Sequence, residues 1–504
     1  MTSIVFALAK LLDGFVSPSV AEQLSGQISG LAWDSRQVKS GDLFFATAGE
    51  NIHGKTFISQ AINAGAAAIA LETSDESEAE KFQQQYHIPV IAVSHLSQKL
   101  GKIAARFYAY PSEKFSLIGI TGTNGKTSCS HLLAQCLNDN KHRSAVIGTM
   151  GAGVWGHLKS VQNTTPGALE LQQWFHQLVQ QKAKYVAMEV SSHGIEQGRI
   201  NGCAFDMAVF TNLTQDHLDY HGDMQSYAQV KLKLFTSEDL SSVVLNLDDP
   251  FSDTIIEHVA KGVDIVGITL DPQKQNIPGI NVFYGQVVKL SNQGMTISVK
   301  SSVGNAVFQT SLLGDFNASN LLTVFACAIE LGFGFEDVAK KMQCLQAPAG
   351  RLERFGGEND PMVVVDYAHT PDALEKVLHT LRKHTVGKLM VLMGCGGDRD
   401  KTKRSQMGAV AEKHADVVWL TNDNPRSESP QAIIEDILTG IKDPSRIHVL
   451  LDRAEAIKSV VESATAEDVV LIAGKGHEDY QLIGDQRLAF SDRQIVSELF
   501  GEAA

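Results

Sequence analysis

Three runs of residues carry side chains suited to handling a phosphorylated substrate. In Thr121-Gly122-Thr123-Asn124-Gly125-Lys126-Thr127-Ser128, glycines precede a Lys-Thr pair. Glycines let backbone N–H groups converge on an anion at a helix N-terminus, a lysine supplies a mobile cation, and a threonine hydroxyl can ligate Mg2+. The first glycine position of the commonest phosphate-loop motif holds Ile120 here, and Gly122 comes two residues later. A glycine-rich turn with an incidental Lys-Thr is the plain alternative. Glu189, in Glu-Val-Ser-Ser-His, and His217, in Thr-Gln-Asp-His-Leu-Asp, each follow an apolar run and are metal-ligand candidates. Lys231 falls one helical turn after Tyr227, on the same face; its bland reading is a solvated lysine.

These groups need elements to hold them. Phe115–Ile120 reads as a strand, and Leu132, Leu133, Cys136 and Leu137 recur at helical spacing over residues 128–138, so the glycine turn joins strand to helix. Val186–Met188 and Ala208–Phe210 read as further strands ending in polar residues. Open α/β sheets bind ligands beyond the carboxyl ends of their strands, which places Glu189 and His217 in one crevice with the loop. Residues 264–313 contain four strand-like runs, Ile265–Leu270, Val282–Val288, Met295–Val299 and Val307–Leu312, a β-rich insertion without evident chemistry. The apolar helix Leu321–Leu331 follows, with Asn320 at its start, where it would serve as a cap.

Before this region, residues 1 to about 110 mix short strands with helical patterns, as in a small α/β domain. Trp33-Asp34-Ser35-Arg36 there is either a local cap or a ligand loop. After it, Gln346–Arg351 reads as a linker. Beyond the linker, Val363–Val365, Leu389–Met393, Val417–Leu420 and Val469–Ile472 each run into a polar loop: Asp366–Pro371, Gly394–Asp400, Thr421–Arg426 and Ala473–Glu478. Four loaded strand ends indicate a ligand-binding edge. Gly394-Cys395-Gly396-Gly397 lacks the full dinucleotide fingerprint and its trailing acid.

The bounds agree with an ordinary globular chain of about three domains: 504 residues, 43% hydrophobic and 20% charged. A net charge of −14 argues against nucleic-acid or anionic-membrane partners, so anionic substrates need locally gathered cations. No basic residue precedes the short apolar run near Met1, and nowhere do about 18 apolar residues run together, so a soluble, unexported protein is expected. Six scattered cysteines without a Cys-x-x-Cys suit a reducing cytoplasm, with no disulfide framework or zinc site.

Taken together, these motifs resemble the Mur ligase family, the ATP-dependent amide-forming enzymes of peptidoglycan precursor synthesis. Thr-Gly-Thr-Asn-Gly-Lys-Thr, Glu-Val-Ser-Ser-His-Gly, Asn-Leu-Thr-Gln-Asp-His-Leu-Asp-Tyr-His-Gly and Asp-Tyr-Ala-His-Thr-Pro stand in family order across essentially the whole chain. The family itself uses the shorter glycine spacing, and Asp423-Asn424-Pro425-Arg426 looks like its diaminopimelate-selecting motif. The resemblance implies an α/β protein of three domains. Residues 1–110 would bind the UDP substrate. Residues 111–345 would form a P-loop-type, mostly parallel-sheet ATPase domain with a β-rich insertion. Residues 346–504 would form a Rossmann-like domain binding the amino acid.

It further implies transfer of the ATP γ-phosphoryl group to the D-glutamate side-chain carboxylate of UDP-N-acetylmuramoyl-L-alanyl-D-glutamate, then attack by the amine of meso-2,6-diaminopimelate. Lys126, Glu189, His217 and Lys231 would be catalytic. Mg2+ would sit at Thr127, Glu189, His217 and Lys231, the lysine carbamylated by CO2. An ammonium beside divalent cations is repelled, whereas a carbamate can ligate them. ATP would meet Gly122 to Ser128, Asn320, Arg351, Asp366 and His369, with Arg351 entering from the third domain. The UDP-muramoyl substrate would meet Trp33, Ser35, Glu50, Asn51, Ile52, Asn163, Thr164, Thr165, Ser191, Gln197 and Arg199. Diaminopimelate would meet Arg399, Asp423, Asn424, Pro425, Arg426, Gly474 and Glu478. The expected partners are these small molecules, acting on a monomer in the cytoplasm. Two alternatives stand beside this reading: a folylpolyglutamate synthase-like ligase sharing the chemistry, and a nucleotide-dependent switch that would hydrolyse ATP without a second substrate.

Overall fold

The computed structural model spans residues 1–504 and describes all of them except 1–3, 50–51, 217, 292, 358 and 502–504, together with the side chains of 218 and 219. The chain forms two compact units, residues 1–130, 137–245 and 249–265 in one, and 131–136, 246–248 and 266–504 in the other.

The first unit opens with a four-stranded parallel sheet in the order Gly30–Ala32, Asp42–Ala46, Ala68–Leu71, Val90–Ala92. Its middle strands are buried on both faces, which is why they read as unbroken apolar runs rather than alternating ones. A second sheet follows in the order Ser242–Asn246, Met207–Phe210, Ser116–Thr121, Tyr185–Glu189, Ser144–Gly148, parallel throughout and closed by the antiparallel strand Gly151–Val154. Register decides what meets at its edge. Glu189 lies beside Ile120, and Phe210 beside Thr121, so the residues after these strands emerge together around the glycine loop. The helix after the loop is Lys126–Leu137, two residues earlier than the periodicity indicates.

The second unit carries the insertion: Asn281–Ser291, Gly294–Ser301 and Gly304–Thr310 are antiparallel neighbours, and residues 266–269 pair in parallel with the first of them. The helix expected from Leu321 starts instead at Asp315, with Gly314 (φ +88°) as its N-cap. Asn320 is therefore not a cap. It lies inside the helix, buried, its amide donating to Asn317 Oδ1 at 2.9 Å. The polar run Asp315-Phe316-Asn317 reads as loop in sequence and continues the helix in fact.

The same unit ends in a six-stranded sheet, Glu353–Gly356, Met362–Asp366, Val469–Ala473, Leu389–Met393, Val417–Leu420, Ile447–Val449, parallel except at its first, antiparallel edge. Its two faces feed separate cores: Met362, Val364, Val391, Val418 and Leu471 on one side, Val363, Val365, Leu392, Val470 and Ile472 on the other. Helices on both faces thus hold its four polar strand ends on one edge. The Gln346–Arg351 segment is pinned rather than loose. Gln346 exchanges two hydrogen bonds with Gln135, and a Cβ on Gly350 would stand 2.2 Å from the Gly476 carbonyl carbon. The fold class is the one the motifs imply.

Five cysteines are buried, Cys344 is exposed, and none is in a disulfide. Among the described residues no helix is long and apolar enough to cross a membrane.

Candidate active site

The glycine loop is braced by the strand end next to it. Thr123 N–H donates to Asn212 O at 2.8 Å, Asn124 N–H to Asn212 Oδ1 at 2.9 Å, and Thr211 Oγ1 to Asn124 O at 2.6 Å. Gly122 has φ +147°, and a Cβ there would stand 1.9 Å from Thr211 Oγ1. Both backbone angle and close approach demand glycine, which is the physical reason for the displaced spacing. Lys126 Nζ folds back on the loop, donating to Gly122 O at 2.8 Å and Thr123 O at 2.9 Å.

Glu189 is buried beside this loop. Its carboxylate accepts from Thr127 Oγ1 at 2.9 Å, Thr149 N–H at 2.9 Å and Thr149 Oγ1 at 3.2 Å. Burial pushes its pKa up, opposed by the Lys126 charge and these donors. Lys231 is not a solvated lysine: it is 1% exposed, its Nζ donates to Gly122 O at 3.0 Å and lies 4.5 Å from the Tyr227 ring centre. Burial, then the charge of Lys126, drives its pKa well below the ordinary lysine value. Tyr227 OH meets Thr123 Oγ1 at 3.3 Å, so the helix Met224–Phe235 is tied to the loop at two points. His217 lies outside the described residues.

Next to Glu189 the structure gathers four of the residues matched to the muramoyl substrate. Thr165 Oγ1 donates to Glu189 O and meets Ser191 Oγ at 3.0 Å; Arg199 donates to Thr165 O at 2.8 Å and, with a forked grip, to Gln197 Oε1. Thr164 joins through Thr149 Oγ1 at 3.0 Å, and Asn163 is exposed. Asp34 is a local cap, accepting from Arg36 N–H, whereas Ser35 is buried and donates to Gln60. Trp33 and Ile52 are exposed apolar side chains; Glu50 and Asn51 lie outside the described residues.

In the second unit, Asp366 is buried, accepts from Leu352 N–H at 2.8 Å and has its pKa raised by burial, against the nearby Arg351 charge. The Arg351 guanidinium lies 5.0 Å from the Tyr367 ring centre, and its Nε has no hydrogen-bond partner among the described residues. His369 Nδ1 meets Tyr367 O at 2.8 Å.

A cavity of about 410 Å3 opens beside these residues, lined by Arg399, Asp423, Asn424, Arg426, Gly474 and Glu478 among others. These are all the residues matched to diaminopimelate except Pro425. Asn424 is the hub of its floor: its amide donates to Glu478 Oε2, and its carbonyl oxygen accepts from Lys475 Nζ and Leu482 N–H. Arg426 holds φ +52° and donates through Nη1 to Gly397 O at 2.7 Å. Gly394, Cys395 and Gly396 thus form one wall of this cavity, and Gly397 packs behind it, where a Cβ would stand 1.9 Å from Pro425 O. Beneath lies a fully buried ion pair. Arg453 grips both Asp492 oxygens, at 2.7 and 2.8 Å, and donates to Asn422 O and Ala473 O, fixing the two strand ends that precede Asp423 and Gly474.

Family models match three stretches: the Mur ligase family catalytic domain over residues 27–108, the Mur ligase middle domain over 120–328, and the Mur ligase glutamate ligase domain over 350–476. A UDP-N-acetylmuramoyl-L-alanyl-D-glutamate--2,6-diaminopimelate ligase of Coxiella burnetii (strain RSA 493 / Nine Mile phase I) is 44% identical over 485 residues, 96% of this chain and 97% of that one. The chain belongs to the Mur ligase family. A solved ligase of the same description superposes with TM-score 0.73 at 34% identity, covering 99% of both chains. A Mycobacterium tuberculosis folylpolyglutamate synthase with ADP aligns over 75% of this chain and 92% of its own, with TM-score 0.58 at 18% identity, and shares the fold.

Among the described residues no three His, Cys, Asp or Glu side chains cluster as a metal site. A cation at the loop would instead meet a hydroxyl and a single buried carboxylate. The residues present fit it: Thr127 Oγ1 already reaches Glu189, the buried carboxylate gains from a cation, and a Cβ on Gly148 would stand 2.1 Å from Glu189 Oε1, filling the cradle. Three groups of this Mur ligase escaped the sequence reading: Thr149, Lys475 and the Arg453–Asp492 pair. Thr149 follows a strand, Ser144–Gly148, that no motif marks, and the others act from behind the loops that carry the motifs.

Proposed function

We propose that this Mur ligase joins meso-2,6-diaminopimelate to the D-glutamate side-chain carboxylate of UDP-N-acetylmuramoyl-L-alanyl-D-glutamate, consuming ATP, in peptidoglycan precursor synthesis. A carboxylate oxygen attacks the γ-phosphorus, the bond to ADP breaks, and an acyl phosphate forms. The amine then attacks the acyl carbon, loses a proton and expels phosphate.

Phosphoryl transfer needs positioning and charge neutralisation more than covalent help. The Gly122–Ser128 loop offers N–H groups at a helix N-terminus, and Lys126 exchanges its carbonyl partners for phosphate oxygens. Thr127, Glu189, His217 and the Lys231 carbamate would hold Mg2+, which would supply positive charge to the reacting oxygens. Lys231 suits carbamylation because burial lowers its pKa and so favours the neutral amine, whose nitrogen adds to CO2 and sheds a proton. Asn320, Arg351, Asp366 and His369 hold the nucleotide. Trp33, Ser35, Glu50 to Ile52, Asn163 to Thr165, Ser191, Gln197 and Arg199 hold the UDP-muramoyl substrate. The reaction runs in the cytoplasm on small molecules, with a monomeric enzyme.

The observation that carries the choice of amino acid is the cavity, where Arg399 and Arg426 share one lining with Asp423 and Glu478. Two carboxylates and two ammonium groups on one small molecule match that charge set, and a nucleotide switch has no use for it. A guanidinium grips a carboxylate with two parallel hydrogen bonds, which lysine, lacking the distal carboxylate, cannot offer. The test is mass analysis of the product formed from ATP, the UDP-muramoyl dipeptide and a panel of amino acids. A diaminopimelate adduct is expected; an adduct with lysine alone, or ATP hydrolysis without an adduct, would overturn the reading.

A further inference from the structure

The cavity has one cation more than its matched residues use. Arg399, Lys403 and Arg426 all line it, and among the described residues none of the three forms an ion pair, Asp398 reaching Arg426 only at longer range. Their neighbours are all matched: Lys401 and Arg404 with Glu428, Lys475 with Glu478, Arg453 with Asp492 and Arg493 with Glu353. On the lining, Glu478 already pairs with Lys475, whereas these three positive groups form no ion pair with any described carboxylate, Asp400 reaching Lys403 only at longer range. Lys403 also sits in the first turn of the helix Thr402–His414, which has no acidic residue there. A positive charge at that end opposes the helix dipole, a local cost that an anion bound nearby offsets.

Lys403 is placed differently from Arg426. Its Nζ donates to His369 O at 3.0 Å, tying it to the Asp366–Thr370 loop, whereas Arg426 is tied to Gly397 O and to Leu482 O of the hairpin Tyr480–Ala489. A diacid with an ammonium beside each carboxylate presents two ends alike in charge. Arg426, with Asp423, Asn424 and Glu478, accounts for the distal one, which leaves Arg399 and Lys403 for the other.

We propose that Lys403 binds the carboxylate at the reacting end of the incoming amino acid and so orients its attacking amine. The assignment rests on the ligase reading above. Because lysine and diaminopimelate both keep the reacting-end carboxylate, Lys403 sets affinity and alignment for either one, and Arg426 sets the choice between them.

The test compares Lys403→Gln, Lys403→Met and Lys403→Arg in the full-length enzyme, with wild-type adduct formation measured first; if that fails, the ligase reading falls and not this one. Glutamine keeps a donor for His369 O without the charge. Both Gln and Met variants should raise KM for diaminopimelate by about 30-fold or more and for lysine by a similar factor, with Arg milder. The preference ratio, KM for ATP and Tm should stay at wild-type values. A Gln variant equal to wild type would mean that Lys403 is only a tether, and a collapsed preference ratio would mean that it grips the distal carboxylate. Either outcome overturns the proposal.

Discussion

The glycine-loop site and the cavity proposed to take the amino acid treat charge in opposite ways. At the loop, charged groups are turned onto the protein: Lys126 and Lys231 both donate to Gly122 O, and Glu189 takes three donors from Thr127 and Thr149. In the cavity, Arg399, Lys403 and Arg426 form no ion pair among the described residues, while Asn424, Lys475 and Glu478 lock one another in place. A phosphate chain is the same in every ATP enzyme, so a backbone cradle with exchangeable cations suffices. One amino acid among many similar ones must be chosen by unsatisfied charges at fixed places, and fixing them takes buried support.

The strongest way to break that contrast is to remove the support. Asp492→Ala leaves Arg453 charged and fully buried, which costs about 3–5 kcal/mol of stability in urea unfolding. Because Arg453 also holds the carbonyls of Asn422 and Ala473, KM for the amino acid should rise in the surviving fold while KM for ATP stays put. Unfolding within about 1 kcal/mol of wild type would show that the pair is not a keystone of the cavity.

At the loop, Lys126→Ala should lower kcat by about a hundredfold or more, roughly 3 kcal/mol, with Tm unchanged, since the side chain supports no core. Near-normal turnover by the purified variant would remove the loop from the mechanism.

Arg426→Ala should cost about 2 kcal/mol or more in kcat/KM for diaminopimelate and much less for lysine. The contrary case has Arg426 only pinning Gly397 through its carbonyl. Both amino acids would then suffer alike, and an unchanged preference ratio would refute selection at this residue.

The smallest expected effect is a pH slope from Lys231. Its pKa in the folded chain lies below the ordinary value of 10.5, so between those two points the unfolded chain holds the extra proton. Stability of the uncarbamylated protein therefore rises with pH across that window, by at most about 1.4 kcal/mol per unit, and the cost is fully present below it. Lys231→Met should flatten the slope. An identical pH profile for the variant would show that Lys231 stays charged when buried.

The glycine loop, Glu189 and the Asp423–Arg426 run were legible because their chemistry is contiguous: a short string carries both the functional groups and the turn that aims them. Lys231 was legible as a position, one turn from Tyr227, yet its burial was not, since nothing local says that its ammonium turns inward to Gly122 O. Lys403 was read over because a lysine in Asp-Lys-Thr-Lys-Arg resembles an ordinary solvated helix start. Its isolation emerges only when Glu428, far along the chain, is seen to take Lys401 and Arg404. The helix start at Asp315 was missed for a related reason: Gly314 and a run of Asp, Phe and Asn carry turn propensity, and the packing of Asn317 and Asn320 into the interior overrides it.

The cysteines have a practical consequence. Burial pushes the thiols of Cys129, Cys136 and Cys395 up to about 12, and Cys203 and Cys327 are equally out of reach, so only Cys344 meets an alkylating reagent in the native chain. A fluorophore would therefore label the wild-type sequence at one defined position, close to the Gln346–Arg351 segment, without engineering. The other five sulfurs become a clock: the rate at which they take up iodoacetamide counts how often each core opens, Cys129 and Cys136 reporting from the helix after the glycine loop and Cys395 from beside the amino-acid cavity.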